Sequence, residues 1–213
     1  MSKVFILDFD GTFYSGEKVF SLVEEHVNNH RRSFFPHISD EEYQRILKEN
    51  PHFASEINGG KIVEDMYEFR KKYPEMKISP KGFFDFQCKY PDPIVLDGAD
   101  IIRAEFVKTL CENYAVYVVS NSSLNHLKKY MKQMNIDYKW FKKLIANRFT
   151  LKDRSKKHYY KNIMERENVL PEQVYVFGDS ERSDLLPGRE LNMNVYKIEK
   201  ASEVEKLINE LIK

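Results

Sequence analysis

Lys3-Val4-Phe5-Ile6-Leu7-Asp8-Phe9-Asp10-Gly11-Thr12 is the stretch that decides the fold. Val4 to Leu7 are apolar at every position, as in a strand buried on both faces of a parallel sheet, and acidic and turn residues follow at once. Two later runs repeat the pattern: Ala115 to Val119 ends at Ser120, and Gln173 to Phe177 ends at Gly178-Asp179. Helical spacing follows, with Leu124, Leu127, Met131 and Met134 after the second run and Ile163 in a helix before the third. In open α/β sheets ligands sit outside the carboxyl ends of the strands, so Asp8, Ser120 and Asp179 belong to one rim. Further strands are expected around Leu144 to Ala146 and Asn194 to Lys197. A terminal helix over Ser202 to Ile212 is expected from the Ser202–Glu205 capping box and the stripe Val204, Leu207, Ile208, Leu211, Ile212.

Between about Ser15 and Leu96 the style changes to helices rich in aromatic and charged residues, with no comparable strand. Ser39 and Glu42 form a capping box, flanked by Ile38 and Tyr43 as a hydrophobic staple, so a helix should start at Asp40. Another should begin near Lys61 after Gly59-Gly60, and Asp97-Gly98 reads as a return linker. The expected architecture is a doubly wound, parallel-sheet α/β core of Rossmann-like form, residues 1–14 and 97–213. A smaller all-helical cap domain, residues 15–96, is inserted after the first strand.

Composition excludes several classes. The chain has 213 residues, 34 Lys and Arg against 33 Asp and Glu, and 42% hydrophobic residues. A formal net charge of +1 leaves no electrostatic footprint for whole-chain nucleic-acid binding. The longest apolar runs, such as Val116 to Val119, fall far short of the roughly 20 residues of a membrane span. Met1-Ser2-Lys3 leads into a short strand pattern and then acidic residues instead of a signal-peptide core, so the cytoplasm is the expected location. Cys88 and Cys111 have no metal-site or disulfide spacing.

The chemistry concentrates at Asp8 and Asp10. Two carboxylates at i and i+2 lean to one side of an extended chain, and their repulsion calls for a cation; a hard one such as Mg²⁺ takes carboxylate oxygens and a phosphate oxygen together. Gly11 lets the chain turn away.

In these residues the sequence resembles the phosphatase branch of the haloacid dehalogenase superfamily, whose first motif, DxDGT, is matched by Asp8 to Thr12. The second motif, a Ser or Thr ending the next core strand, is matched by Ser120, and the acidic GDxxxxD motif by Gly178 to Asp184. The third motif, a basic residue opening the helix before Asp179, has the candidates Lys152, Arg154, Lys156 and Lys157. Lys156 is chosen, with Ser155 as N-cap placing it in the first helical turn. The resemblance implies Asp8 as nucleophile, Asp10 as acid/base, and Ser120, Asn121 and Lys156 as phosphate ligands. It implies Mg²⁺ held by Asp8, the Asp10 backbone carbonyl and Asp179, with support from Asp184. The acid role asks for a raised Asp10 pKa, for which neighbouring carboxylates supply a reason.

The implied activity is phosphatase action on a small phosphorylated metabolite, a sugar phosphate or nucleoside monophosphate, through an aspartyl phosphate. A phosphomutase of the same superfamily and a non-catalytic phospho-receiver or interaction module are the alternatives. Lys61, at a helix start, is the candidate specificity residue. The sequence departs from the family pattern at Phe13-Tyr14, where Leu-x-Asp is common, and at Asn192, where Gly often precedes the last strand. Neither departure is expected to touch the catalytic residues.

Overall fold

The computed structural model describes residues 3–16, 21–22, 25–26, 29, 32–33, 35–49, 71–72, 74, 77, 96, 98–122, 124–146 and 156–213. The described elements include β1 (Val4–Leu7), β2 (Tyr14–Ser15), α1 (Asp40–Glu49), β3 (Asp100–Ile101), α2 (Ala104–Asn113), β4 (Ala115–Ser120) and α3 (Leu124–Gln133). They continue with β5 (Lys143–Ala146), α4 (Lys157–Glu167), β6 (Val174–Gly178), α5 (Leu186–Arg189), β7 (Asn194–Lys197) and α6 (Ala201–Ile212). The chain divides into two compact units, one of Met1–Ser21, Pro93–Asn147 and Ser155–Lys213, the other of Leu22–Asp92 and Arg148–Arg154.

In the first unit five parallel strands pair in the order β5-β4-β1-β6-β7. The chain builds outward from β1 through β4 to β5, then crosses back to place β6 on the other side. The strand order therefore reverses at β1, the position where such sheets open a crevice at their carboxyl ends. Leu7 is in register with both Val118 and Phe177. The ends of β1, β4 and β6 thus come out side by side, as expected for Asp8, Ser120 and Asp179.

The central strand is apolar throughout because both of its faces are covered. Val4 and Ile6 pack with Tyr117, Val119, Val174 and Val176 and with Tyr160 and Ile163 of α4. Alternation sends Phe5 to the other face. There it meets Tyr114 edge-on at 5.3 Å and Tyr175 and Phe177 at 5.5 and 6.3 Å between ring centroids. All four residues of β1 are at most 1% exposed, each worth about 1.5–3 kcal/mol relative to exposure. Leu127 and Met131 of α3, and Met134 just past its end, are buried as the spacing predicts, but Leu124, at the start of the helix, is 41% exposed. Asn192 has φ +58°, a left-handed turn before β7 that Asn tolerates better than other side chains, which accounts for its standing in a Gly position. No helix among the described residues is long and apolar enough to cross a membrane.

A two-stranded antiparallel ribbon that the sequence does not announce pairs Tyr14 with Ile101 and Ser15 with Asp100. It takes over the capping of α6. Ala201 N–H donates to Ser15 Oγ at 2.8 Å, and Ser202 donates to Asp100 Oδ2 from its N–H at 3.0 Å and its hydroxyl at 2.9 Å. The expected Ser202–Glu205 box therefore does not form. Glu205 instead accepts from the N–H and Nε of Arg103, and Glu203 accepts from the N–H groups of Glu199 and Lys200. The helix starts one residue earlier than expected because its orphan donors find partners far away in sequence.

In the second unit α1 starts at Asp40 as predicted, with Ser39 Oγ accepting from the Glu42 N–H at 3.1 Å. Phe35, Tyr43 and Ile46 are buried. Arg32 pairs with Asp40 at 2.8 Å and lies over the Tyr43 ring at 5.2 Å. The expected helix near Lys61 and Asp97 of the expected return linker lie outside the described residues.

Asp100→Ala is expected to lower the unfolding free energy by ~1–2 kcal/mol, the scale of a lost helix cap. Chemical denaturation measures it, and an unchanged midpoint would show that the tertiary cap adds nothing to stability.

Candidate active site

Asp8 leaves β1 with its N–H bonded to the Phe177 carbonyl at 2.8 Å, which fixes it against the end of β6. Gly11 then turns at φ +80°, and the Thr12 and Phe13 N–H groups close the turn on the Phe9 carbonyl at 3.1 and 2.8 Å.

Asp8, Asp179 and Asp184 each present a carboxylate oxygen within 4.8 Å of the other two. Two glycines make this approach feasible. A Cβ on Gly11 would lie 2.5 Å from Asp179 Oδ2, and one on Gly178 would lie 2.6 Å from both Cβ and Oδ2 of Asp184. Asp184 is fully buried and delivered by a single π-type turn, Glu181–Leu185, in which Leu185 N–H reaches back to the Ser180 carbonyl. Such turns recur at functional sites because they re-aim one side chain. Asp184 Oδ2 accepts from the Ser180 N–H at 3.0 Å, and Oδ1 from the Ser183 hydroxyl at 3.1 Å.

Lys156 joins this group. Its side chain is 1% exposed, and Nζ donates to Asp8 Oδ1 at 2.6 Å and to Asp184 Oδ1 at 2.5 Å. Lys157 points elsewhere and pairs with Glu190 at 2.7 Å on the surface. Lys156 stands at the residue before α4, not in its first turn as expected, and its carbonyl accepts the Tyr160 N–H. Ser155, Lys152, Arg154 and Lys61 lie outside the described residues.

Three carboxylates around one ammonium leave two negative charges in excess. Burial, then the charge of Asp184, pushes Asp8 well above the ordinary carboxylate range against the pull of Lys156. Burial and Asp184 likewise lift Asp179 to about 6. For Lys156, burial favours the neutral amine, but Asp8 and Asp184 outweigh it and keep the ammonium charged.

The Asp10 carboxylate has different company. Tyr14 Oη donates to Oδ1 at 2.5 Å, His126 Nε2 lies 3.1 Å from the same oxygen, and Ser122 Oγ donates to Oδ2 at 2.5 Å. The expected rise of its pKa is therefore corrected. Burial pushes it up, but the hydrogen bond and charge of His126, with the hydroxyls of Ser122 and Tyr14, hold it down at about 2. The Asp10 side chain is also outside the carboxylate trio that converges on one point; the resemblance assigned only its backbone carbonyl to the metal.

Ser120 is buried at the end of β4, and its Oγ accepts the Ser122 N–H at 3.0 Å. Asn121 follows, half-buried. Three residues at this site had no assigned part in the sequence reading: Tyr14, Ser122 and His126. The departure at Phe13-Tyr14, expected to lie clear of the catalytic residues, in fact places the Tyr14 hydroxyl on Asp10. Ser122, in the bend after β4, and His126, in α3, share that target.

Comparisons with known proteins agree with this architecture. No curated protein has a matching sequence. Among solved structures, the HAD-hydrolase YfnB from Bacillus subtilis, bound to magnesium, superposes with a TM-score of 0.61 at 16% identity over 98% of this chain and 99% of that one. The 2-haloacid dehalogenase from Pseudomonas syringae pv. tomato DC3000 gives 0.55 at 12% identity over 99% and 100%. A mutant of the HAD family enzyme bt-2542 from Bacteroides thetaiotaomicron, in complex with magnesium and inorganic phosphate, gives 0.53 at 17% identity over 92% and 94%. These likenesses establish a shared fold. The sequence model of haloacid dehalogenase-like hydrolases matches residues 2–192, through the ends of β1, β4 and β6 alike, and the chain belongs to that family of hydrolases.

Proposed function

We propose that the protein is a Mg²⁺-dependent phosphatase that hydrolyses a small phosphorylated metabolite, a sugar phosphate or nucleoside monophosphate, through an aspartyl phosphate on Asp8. The observation that carries this reading is the division of labour between two aspartates two residues apart. Asp8 belongs to an ammonium and carboxylate cluster, whereas Asp10 is held by neutral and imidazole donors outside it. Carboxylates placed in contrasting settings are suited to separate roles. A halide leaves carbon without a proton, so a built setting for a second carboxylate favours an oxygen leaving group.

Asp8, Asp179 and Asp184 offer hard oxygen donors with surplus negative charge, the set a cation such as Mg²⁺ takes. With the Asp10 carbonyl, Asp8 and Asp179 would hold the ion, and Asp184 would support it. Bound there, it would offset the charge that a phosphate brings to an anionic nucleophile. The chain's own groups do the rest. An Asp8 oxygen attacks phosphorus, forming the acyl phosphate as the bond to the ester oxygen breaks. Lys156, the Ser120 hydroxyl and Asn121 bind the non-bridging oxygens.

Asp10 protonates the departing alkoxide, then accepts a proton from the water that attacks phosphorus and releases phosphate and the free Asp8 carboxylate. Its donors keep it ionised, the form that the second duty requires. For the first, an arriving phosphate adds negative charge beside Asp10 and raises its proton affinity, so the acid form is taken up with the substrate.

Phosphate release from alkyl esters is expected to require Mg²⁺, to fall at least about 10⁴-fold in Asp8→Asn, and to fall about 10²–10⁴-fold in Asp10→Asn. A steady-state assay with and without chelator checks this. Retained turnover in Asp8→Asn would remove the covalent mechanism. Gly178→Ala, whose methyl group would collide with Asp184, is expected to weaken Mg²⁺ binding about 10- to 100-fold, as read by calorimetry on protein that stays folded. Unaltered affinity would show that Asp184 does not support the ion.

A further inference from the structure

Asp10 has its two oxygens occupied unequally. A carboxylate oxygen offers two acceptor sites. On Oδ1 both are taken, by Tyr14 Oη at 2.5 Å and His126 Nε2 at 3.1 Å; on Oδ2, among the described residues, only the Ser122 hydroxyl, at 2.5 Å, is bound. An ionised carboxylate can only accept, so His126 carries a proton on Nε2.

The donors to Oδ1 are themselves immobilised. Tyr14 is 1% exposed and His126 7%, whereas the Asp10 side chain is 36% exposed. The Tyr14 ring stacks on Tyr130 at 5.2 Å and meets Phe9 edge-on at 5.9 Å. The His126 ring lies 4.6 Å from Tyr130 and 6.4 Å from Phe9. One aromatic nest, drawn from the turn after β1, from β2 and from α3, thus aims two donors at a single oxygen.

We propose that Tyr14 and His126 are positioning residues that anchor Asp10 through Oδ1 and leave Oδ2 as the oxygen that exchanges a proton with the leaving group and with water. The proposal rests on the phosphatase reading above. Neither residue touches the substrate in this assignment. Their effect runs through the direction in which the carboxylate points, and acid catalysis loses much of its efficiency when the proton is misaimed.

The test compares kcat/KM on an alkyl phosphate and on an aryl phosphate with a good leaving group. That ratio reports steps through departure of the alcohol, and only the alkyl ester needs a well-placed acid there. Tyr14→Phe keeps the ring stack and removes one donor; His126→Leu removes the other; His126→Gln restores an N–H near the position of Nε2. In Tyr14→Phe and His126→Leu the alkyl-to-aryl ratio is expected to fall about 10- to 100-fold, part of what an acid/base group supplies. Mg²⁺ affinity should stay at the wild-type value, and His126→Gln should recover most of the ratio.

Equal losses on both esters would overturn the positioning role and leave the phosphatase reading intact. So would a Gln variant that melts like wild type without recovering the ratio. Wild-type protein that releases phosphate from neither ester would defeat the phosphatase reading itself, and the proposal with it.

Discussion

Everything at the rim of this sheet depends on the ammonium of Lys156, lodged between Asp8 and Asp184 with almost no exposure to water. Taking an ammonium and two carboxylates out of water costs several kcal/mol per ion, and only short, well-directed hydrogen bonds offset that cost. The contacts span 148 residues to Asp8 and 28 to Asp184. They close only when β1, the turn before α4 and the loop after β6 have all been assembled, so bringing these three segments together is a precondition for the site. Once closed, the cluster still sets three carboxylates against one ammonium; burial first, and then the charge of Asp184, raise Asp8 and Asp179, and in the proposed mechanism a cation would offset the surplus. In the proposed mechanism charge balance, more than any single contact, would make the rim a binding site.

The glycines at this rim act through space as well as through backbone freedom. Gly11 needs its positive φ to turn the chain, but it also gives up the volume that Asp179 occupies; Gly178, in an ordinary strand, gives up only volume, to Asp184. Two carboxylates therefore pack directly against main chain and approach Asp8 more closely than side-chain packing would allow. The GDxxxxD spacing follows from the same geometry: glycine ends the strand, one aspartate stands beside the Gly11 turn, and the π-type turn brings the second back under the strand end.

Features read from sequence were those whose signal is local. A strand covered on both faces has to be apolar at every position, so Val4–Leu7, Val116–Val119 and Val174–Phe177 stand out with their polar ends, and the rim follows from them. The Ser39 cap of α1 is local as well. The ribbon of β2 and β3 is not, because each strand is two residues long and its partner lies some 85 residues away. Nor is the capping of α6, where Ser202 and Glu205 are drawn to Asp100 and Arg103. Lys156 could be chosen but not separated from Lys157 by spacing alone. One lysine is buried in carboxylates and its neighbour faces solvent, a contrast that only the packed chain creates. His126, 116 residues from Asp10, had no local cue at all.

A fold of this kind does not by itself select the bond that is broken; the residues at its site do. Selection in the proposed mechanism falls to the second aspartate, and the two residues that depart from the usual pattern after Thr12 are Phe13 and Tyr14. Their burial explains how that departure is accommodated: Phe13 packs on Phe9 at 5.1 Å and on Phe141 at 5.9 Å, while Tyr14 continues the nest toward Tyr130. The aromatic pair thus fills core volume with its rings and spends its single polar atom on Asp10. A hydroxyl so deeply buried keeps its proton, because both burial and the Asp10 charge oppose ionisation. Tyr14 is therefore a permanent donor, and the orientation of Asp10 is set by the packing of the core beneath it.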